Sequence, residues 1–183
     1  MPNKVKLILI YLTIGAGGLL AGKFIAQMQS TKTADQVNQA PVEGYAKELP
    51  DLLWQDLEGQ SQNLRQFLGK VVVVNHWAPW CEPCREEIPL FIDLQQQKGG
   101  DGLQFIGVAH DSPGNVMRFV DSMPINYPQV LAGDFQGMDW MKALGNPGSL
   151  PFTSVYDREG QLIGKKLGLL SADQLDDIIG AAL

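Results

Sequence analysis

Residues 71–89 read VVVVNHWAPWCEPCREEIP, and this stretch carries the strongest structural signal of the chain. It opens with four valines, and an unbroken β-branched run is typical of a strand that is buried on both faces. The two cysteines of the chain, Cys81 and Cys84, follow closely. Apolar residues then recur at helical spacing from residue 85 to 98, and two glycines end that segment. The stretch therefore predicts a buried strand, a short loop with both cysteines, and a helix.

A C-x-x-C pair between a buried strand and a helix is the sequence mark of a thioredoxin-like redox site. Cys81 would lie at the helix N-terminus, where free N–H groups and the helix dipole stabilise a thiolate. Cys84, one turn later, is close enough to form a disulfide with it and to release a partner from a mixed disulfide. We therefore predict that Cys81 attacks and that Cys84 resolves.

Two other roles for the cysteine pair compete with redox chemistry. A zinc site needs about four ligands, and besides the two cysteines the chain has only two histidines, His76 and His110. A structural disulfide that closes so short a loop would gain little from loop-closure entropy. The sequence therefore favours a redox-active pair and predicts no metal and no cofactor.

The chain from residue 48 onward alternates between strand-like and helix-like segments. The pattern predicts a hairpin at 52–64, strands at 103–109, 127–131, 152–156 and 161–168, and helices at 115–122, at 134–144 and after the N-cap Ser171. This succession predicts an α/β fold, with a central mixed β-sheet flanked by helices.

The N-terminal segment has the character of a membrane anchor. Lys4 and Lys6 precede an apolar stretch of about 20 residues, which is enough for a helix that crosses a bilayer. Because positive charges favour the cytoplasmic side, the rest of the chain would be exported. A cleaved signal peptide suits the same length, although a small-x-small cleavage site is weak here. We predict an anchor or signal segment at 1–26, a polar linker at 27–47 and a folded domain at 48–183.

The charge balance excludes one class of partner. The chain carries 20 acidic and 14 basic residues, a net charge of −6, and the excess of acid is concentrated in the predicted domain. An acidic surface repels nucleic acid, and the sequence has no basic patch and no phosphate-binding Gly-Lys-Ser/Thr loop. Nucleic acid is therefore not expected as a partner.

The stretch 71–89, with Gly-Lys at 69–70 and Asp-Arg-Glu-Gly at 157–160, resembles the TlpA/ResA-type extracytoplasmic thiol-disulfide oxidoreductases. The resemblance covers about residues 48–183. It implies a thioredoxin-like fold and an enzyme that exchanges disulfides with exported proteins through its C-x-x-C pair. The predicted anchor suits this family, and we expect a single-pass protein of the inner (cytoplasmic) membrane with its C-terminal domain on the periplasmic side. A reductant outside the cytoplasm must itself be recharged, so a transmembrane electron donor is an expected partner.

The resemblance assigns further residues to the site. Pro151 matches the family's cis-proline that faces the disulfide, and together with Leu150 and Trp80 it is expected to bind the substrate. A cis-proline lets the adjacent backbone pair with an incoming extended peptide. Glu87 matches the acidic residue of the family's active site. It lies three residues after Cys84, so it can share a helix face with that sulfur and exchange protons with it.

Asn75 stands where cytoplasmic thioredoxins carry a buried aspartate. A neutral amide cannot be that general base, which leaves Glu87 as the better candidate; a solvated helix face, as expected for Glu86, is its alternative. His76 replaces the aromatic residue expected at its position. Strand alternation places it on the face opposite Asn75 and Trp77, and we interpret it as a packed or hydrogen-bonded histidine rather than a redox residue.

The direction of electron flow is marked only by the residues between the cysteines. Glu82 puts a negative charge beside the sulfurs and Pro83 removes an N–H, whereas strong oxidants need a highly stabilised thiolate. We therefore predict a reductant, which the resemblance also favours and which in that family is often tied to cytochrome c maturation. The alternatives are a thiol peroxidase of the peroxiredoxin type, which would use a lone attacking cysteine, and a non-catalytic thioredoxin-fold binding module.

Overall fold

The computed structural model of the chain describes residues 47–133 and 136–183. The predicted anchor at 1–26, and all of the predicted linker except its last residue, lie outside the described residues. Within the two described ranges, no helix combines the length and the apolar character that a membrane span requires.

A single mixed sheet forms the centre of the described part of the chain. Its strands are β1 (Leu53–Asp56), β2 (Ser61–Asn63), β3 (Val71–Trp77), β4 (Leu103–Ala109), β5 (Gln129–Leu131), β6 (Phe152–Tyr156) and β7 (Leu162–Leu167). They lie in the order β2-β1-β5-β4-β3-β6-β7. The central strands β3, β4 and β5 are parallel, and the strands on either side of them pair antiparallel.

Helices pack on both faces of this sheet. They are α1 (Glu82–Lys98), α2 (Pro113–Ser122), α3 (Gln136–Ala143) and α4 (Ala172–Ile179). Because successive side chains of a strand point to opposite faces, β3 contributes to two cores. On one face Val72 packs in a cluster with Trp140 of α3, and on the other Val73 packs with Phe91 of α1 and Leu175 of α4. The predicted α/β fold with a central mixed sheet flanked by helices is therefore confirmed.

The ends of several elements differ from the prediction. Helix α1 begins at Glu82, three residues before the predicted start, because Cys81 caps it and a proline at position 83 suits a first helical turn. Strand β5 begins at Gln129, two residues later than predicted, because Pro128 has no N–H to give to the sheet. The N-cap of the last helix is Ser171, as predicted, and it forms a capping box.

Candidate active site

The two cysteines lie where β3 passes into α1. Cys81 is the N-cap of α1, and its Sγ accepts a hydrogen bond of 3.3 Å from the Cys84 N–H. The two residues form a disulfide, with their Cα atoms 5.3 Å apart. The sulfurs thus lie at the positive end of a helix of 17 residues. A thiolate formed there on reduction is stabilised by the free N–H groups and the helix dipole.

The disulfide is set into an apolar surface and not raised above it. Cys81 retains 5% of its accessible surface, whereas Cys84 has none. Both cysteines belong to a cluster of buried residues from β3, α1, β4, α2 and the loop before α1, namely Trp77, Ala78, Ile88, Ala109 and Val116. Of the two cysteines, only Cys81 therefore presents surface to an approaching partner.

Glu87 lies in α1, one turn after Cys84, and only 2% of it is exposed. Its Oε1 accepts a hydrogen bond of 2.6 Å from Asn75 Nδ2, and its Oε2 accepts one of 3.2 Å from the Leu170 backbone N–H. Burial raises the pKa of the carboxyl from 4.5 to about 7, and the two hydrogen bonds oppose that rise only in part. The neighbouring Glu86 is exposed. A carboxyl that titrates near neutral pH can both take up and release a proton.

The side chain of Asn75 connects this carboxyl to the sheet. Its Nδ2 also lies 3.4 Å from Oγ1 of Thr153, the residue directly opposite it in the pairing of β3 with β6. Both residues are fully buried. The Asn75 Oδ1 is buried as well and has no hydrogen-bond partner. The amide therefore joins α1 to β6 while one of its own polar atoms is left unsatisfied.

The peptide bond between Leu150 and Pro151 is cis, as the resemblance implies. Leu150 packs against the apolar cluster that contains the cysteines, and the Pro151 carbonyl accepts a hydrogen bond of 2.9 Å from the Gly168 N–H. On either side of that glycine, Leu167 and Leu169 are 53% and 45% exposed. The proline loop thus places Leu150 against the cluster around the disulfide, and it is hydrogen-bonded to an exposed apolar segment at 167–169.

The two tryptophans near the cysteines are placed differently. Trp80 is 68% exposed, so it stands at the rim of the site. Trp77 is buried, and its Nε1 donates a hydrogen bond of 2.9 Å to Gln129 Oε1. Gln129 in turn occupies the space above Gly107, where an added Cβ would come within 2.1 Å of the same oxygen. Trp77 is therefore part of the packing beneath the site.

His76 lies on the other face of β3, away from Asn75. Its Nδ1 is 3.0 Å from His110 Nε2, and its ring packs edge-on against Trp140. Burial lowers the pKa of both histidines, that of His110 to about 4. The interpretation of His76 as a packed, hydrogen-bonded residue is confirmed. Among the residues that the structure describes, no group of three or more His, Cys, Asp or Glu side chains could hold a metal ion.

Several contacts of the site were not predicted from the sequence. They involve Thr153, the Leu170 backbone and the bond from Asn75 to Glu87. Asn75 and Thr153 are polar residues in fully buried strands, so each is expected to need a polar partner, although the sequence does not show which residue that partner is. Leu170 takes part only through its N–H, which no side-chain pattern marks.

Comparison with known proteins agrees with this site. Residues 45–174 match the AhpC/TSA family. The thiol:disulfide interchange protein HelX of Rhodobacter capsulatus is 32% identical over 174 residues, which span 91% of this chain and 89% of HelX. The thiol-disulfide oxidoreductase ResA of Bacillus thuringiensis subsp. konkukian is 29% identical over 134 residues, 73% of this chain and 75% of ResA. The crystal structure of a thiol:disulfide interchange protein from Chlorobium tepidum TLS, of the thioredoxin family, has a TM-score of 0.67 at 26% identity, covering 75% of this chain and 96% of that one.

Fold, cysteine pair and relatives together define the class of protein: a thioredoxin-like thiol-disulfide oxidoreductase. The chain belongs to the AhpC/TSA family, and within it the TlpA/ResA-type resemblance of the sequence is confirmed. Protein thiols and disulfides are accordingly its substrates.

Proposed function

We propose that this enzyme reduces disulfides of exported proteins and does so through Cys81, Cys84 and Glu87. The observation that carries the proposal is the buried Glu87 carboxyl, one turn after Cys84 in α1, with its pKa raised to about 7. In its ionised form this carboxyl opposes a thiolate nearby. The exposed Glu82 beside Cys81 acts in the same direction. These carboxyls offset part of the stabilisation that the helix N-terminus gives the thiolate, and a less stable thiolate gives up electrons more readily, which suits a reductant.

The reaction begins from the reduced enzyme. The Cys81 thiolate attacks one sulfur of the substrate disulfide, a mixed disulfide forms, and the other substrate sulfur leaves as a thiolate that takes up a proton. Cys84 loses its proton to the Glu87 carboxylate and attacks Cys81. The second substrate thiol is released, and Cys81 and Cys84 end as a disulfide. Two electrons have then passed from the enzyme to the substrate, and protonated Glu87 returns its proton to solvent or product.

The substrate is proposed to bind beside the cis-proline. Pro151 is followed by β6, and its loop carries Leu150 against the cluster around the cysteines. An extended peptide that pairs with backbone in this loop would have its apolar side chains near Trp80, Leu167 and Leu169, all of which are exposed. The chemistry of this surface favours substrates with apolar residues next to the cysteine.

The cellular setting is proposed from the N-terminal sequence and from the family. Residues 1–26 would anchor the chain in the inner membrane, 27–47 would form a polar linker, and 48–183 would form the redox domain in the periplasm. A reductant there must be recharged, so a transmembrane electron donor is a required partner, and cytochrome c maturation is the process we propose. Retention of the chain in membranes washed at high pH, with residues 48–183 open to added protease in spheroplasts, tests the arrangement; release by the wash would contradict it.

Trapping of the mixed disulfide tests the enzymatic proposal. In the Cys84→Ser variant the resolving thiol is missing, so we expect covalent adducts with exported proteins through Cys81. These adducts should vanish on treatment with dithiothreitol. The matched Cys81→Ser variant keeps one cysteine in the same motif but should trap nothing. Equal trapping by both variants would contradict the assignment of Cys81 as the attacking residue.

Two further assays distinguish the reductase from the alternatives. Turnover of a hydroperoxide that persists in the Cys84→Ser variant would indicate a thiol peroxidase with a lone attacking cysteine. Full function in cells of a chain in which both cysteines are serine would indicate a binding module. The proposed reductase predicts neither result.

A further inference from the structure

We propose that Asn75 is a positioning residue for Glu87, and that its side-chain amide serves both protonation states of the carboxyl by rotating between two orientations. The inference rests on the proposed exchange of protons between Glu87 and Cys84. It extends that function by naming the group that keeps the carboxyl bonded before and after each transfer.

The observed orientation fits ionised Glu87. Asn75 Nδ2 donates to Glu87 Oε1 at 2.6 Å, and a carboxylate oxygen can only accept. The second hydrogen of the amide is directed at Thr153 Oγ1, 3.4 Å away. Oδ1 of the same amide is left buried without a partner, which is unfavourable for an acceptor away from water.

When Glu87 is protonated, Asn75 must present an acceptor to it and not a donor. A proton on Oε1 turns that oxygen into a donor, and it would then face another donor in Asn75 Nδ2. Rotation of the amide by about 180° exchanges its oxygen and nitrogen in space. Oδ1 then accepts the Glu87 O–H, while Nδ2 takes the buried position in which Oδ1 now has no partner, so one polar atom of the amide is unsatisfied in either orientation. The Thr153 hydroxyl can donate or accept, and the Leu170 N–H continues to donate to Oε2, so both remain bonded in either state.

Among the described residues around Glu87, no other side chain is placed to bond its carboxyl in both protonation states. From the segment before β5, Tyr127 is the ionisable neighbour, and burial together with the Glu87 charge raises its pKa, so it keeps its proton throughout. Cys84 lies in α1 and Cys81 is its N-cap, and the side chain that β6 places against Asn75 is the uncharged Thr153. The ion pairs found among the described residues do not include Glu87; they are Glu48–Arg65, Lys98–Asp176 and Asp139–Lys142.

An amide is the side chain that meets both requirements. An ionised aspartate at position 75 could not donate to ionised Glu87 and would set a second carboxylate against it. Leucine, of similar size, could neither donate nor accept. Either substitution should therefore favour the protonated form of Glu87, aspartate through like charge and leucine through the lost donor.

The test is a direct titration of Glu87. The full oxidised chain, labelled with carbon-13 at the glutamate side-chain carboxyls, is followed by NMR across pH, and Glu87→Gln identifies the Glu87 signal. We expect its midpoint near pH 7 in the unaltered chain, about one pH unit higher in Asn75→Leu, and higher still in Asn75→Asp. Ser154→Ala is the matched control, because Ser154 is a buried neighbour of Thr153 whose side chain points to the other face. It should leave the midpoint unchanged.

An unchanged midpoint in Asn75→Leu would overturn the positioning role and leave the proton exchange standing. A second comparison can reject the proton exchange and leave the positioning role intact. If Glu87→Gln leaves the pH profile of Cys84 alkylation in the reduced chain unchanged, while Asn75→Leu still moves the Glu87 midpoint, the proton exchange fails and the positioning role stands. If the Asn75 variants do not fold, the unaltered chain still provides a test of the rotation. The nuclear Overhauser effect between the Asn75 amide protons and Thr153 should be present above the midpoint pH and weaken below it. An effect of constant strength would overturn the rotation.

Discussion

At the scale of single residues, Glu87 is the group whose environment departs furthest from that of an exposed carboxyl. It is nearly completely buried, and this burial raises its pKa to about 7 although two hydrogen bonds oppose the rise. The folded protein therefore binds a proton at Glu87 more tightly than the unfolded chain does. The same property that suits Glu87 to proton exchange makes its ionised form costly to the fold.

Replacement of Glu87 by glutamine should make this cost visible. Because the folded-state pKa lies above the usual 4.5, the Glu87 contribution to stability is fully present below pH 4.5 and is lost as the pH rises through about 7. Glu87→Gln cannot ionise, so its free energy of unfolding, relative to the unaltered chain, should rise between these pH values by about 3 kcal/mol. Urea unfolding at a series of pH values measures the difference. Glu86→Gln, at an exposed position, is the control; a difference for Glu87→Gln that does not depend on pH would contradict the raised pKa.

At the scale of elements, the junction of β4 and β5 supports the floor of the site. Gly107 of β4 is paired with Gln129 of β5, and the glutamine side chain lies across the glycine to reach Trp77 Nε1. A glycine in the middle of a buried strand weakens it unless another group occupies the space of the missing side chain. Here that group is the amide that fixes Trp77 under the cysteines.

Gly107→Ala should displace this amide. The new Cβ would come within 2.1 Å of Gln129 Oε1, so the glutamine amide would have to move and its bond to Trp77 would break. We expect the free energy of unfolding to fall by about 1 to 3 kcal/mol, as is usual for overpacking. Gly100→Ala is the matched control, since a Cβ there meets nothing within 4 Å. Urea unfolding of both variants checks the prediction, and equal stability of the two would show that Gln129 moves aside at no cost.

The elements also show how far sequence reasoning reaches. The valine run and the C-x-x-C pair predict β3, α1 and the cysteine site, because a buried strand and an amphipathic helix leave strong periodic patterns. The predicted start of α1 lies three residues too far along the chain, because a capping cysteine and not apolar spacing sets the first turn. The bond from Asn75 to Thr153 joins residues 78 positions apart and depends on β6 lying next to β3. No local pattern specifies that neighbour.

At the scale of the whole molecule, the fold collects distant segments at one end of the sheet. The junction of β3 with α1 brings the cysteines, the loop before β6 brings the cis-proline, and the loop before α4 brings the N–H that holds Glu87. The parallel centre of the sheet makes this convergence possible, because β3 and β4 both end on the side of the site. The proposed electron flow to exported disulfides therefore depends on all of these segments and not on the C-x-x-C motif alone.

The reduction potential of the Cys81–Cys84 pair distinguishes a reductant from an oxidant. The purified chain would be equilibrated with graded dithiothreitol or glutathione buffers, and its free thiols counted at each step. We predict a potential near or below about −230 mV, in the range of thioredoxins and glutaredoxins. A potential near about −120 mV, typical of a strong oxidant, would contradict the assignment of this enzyme as a reductant.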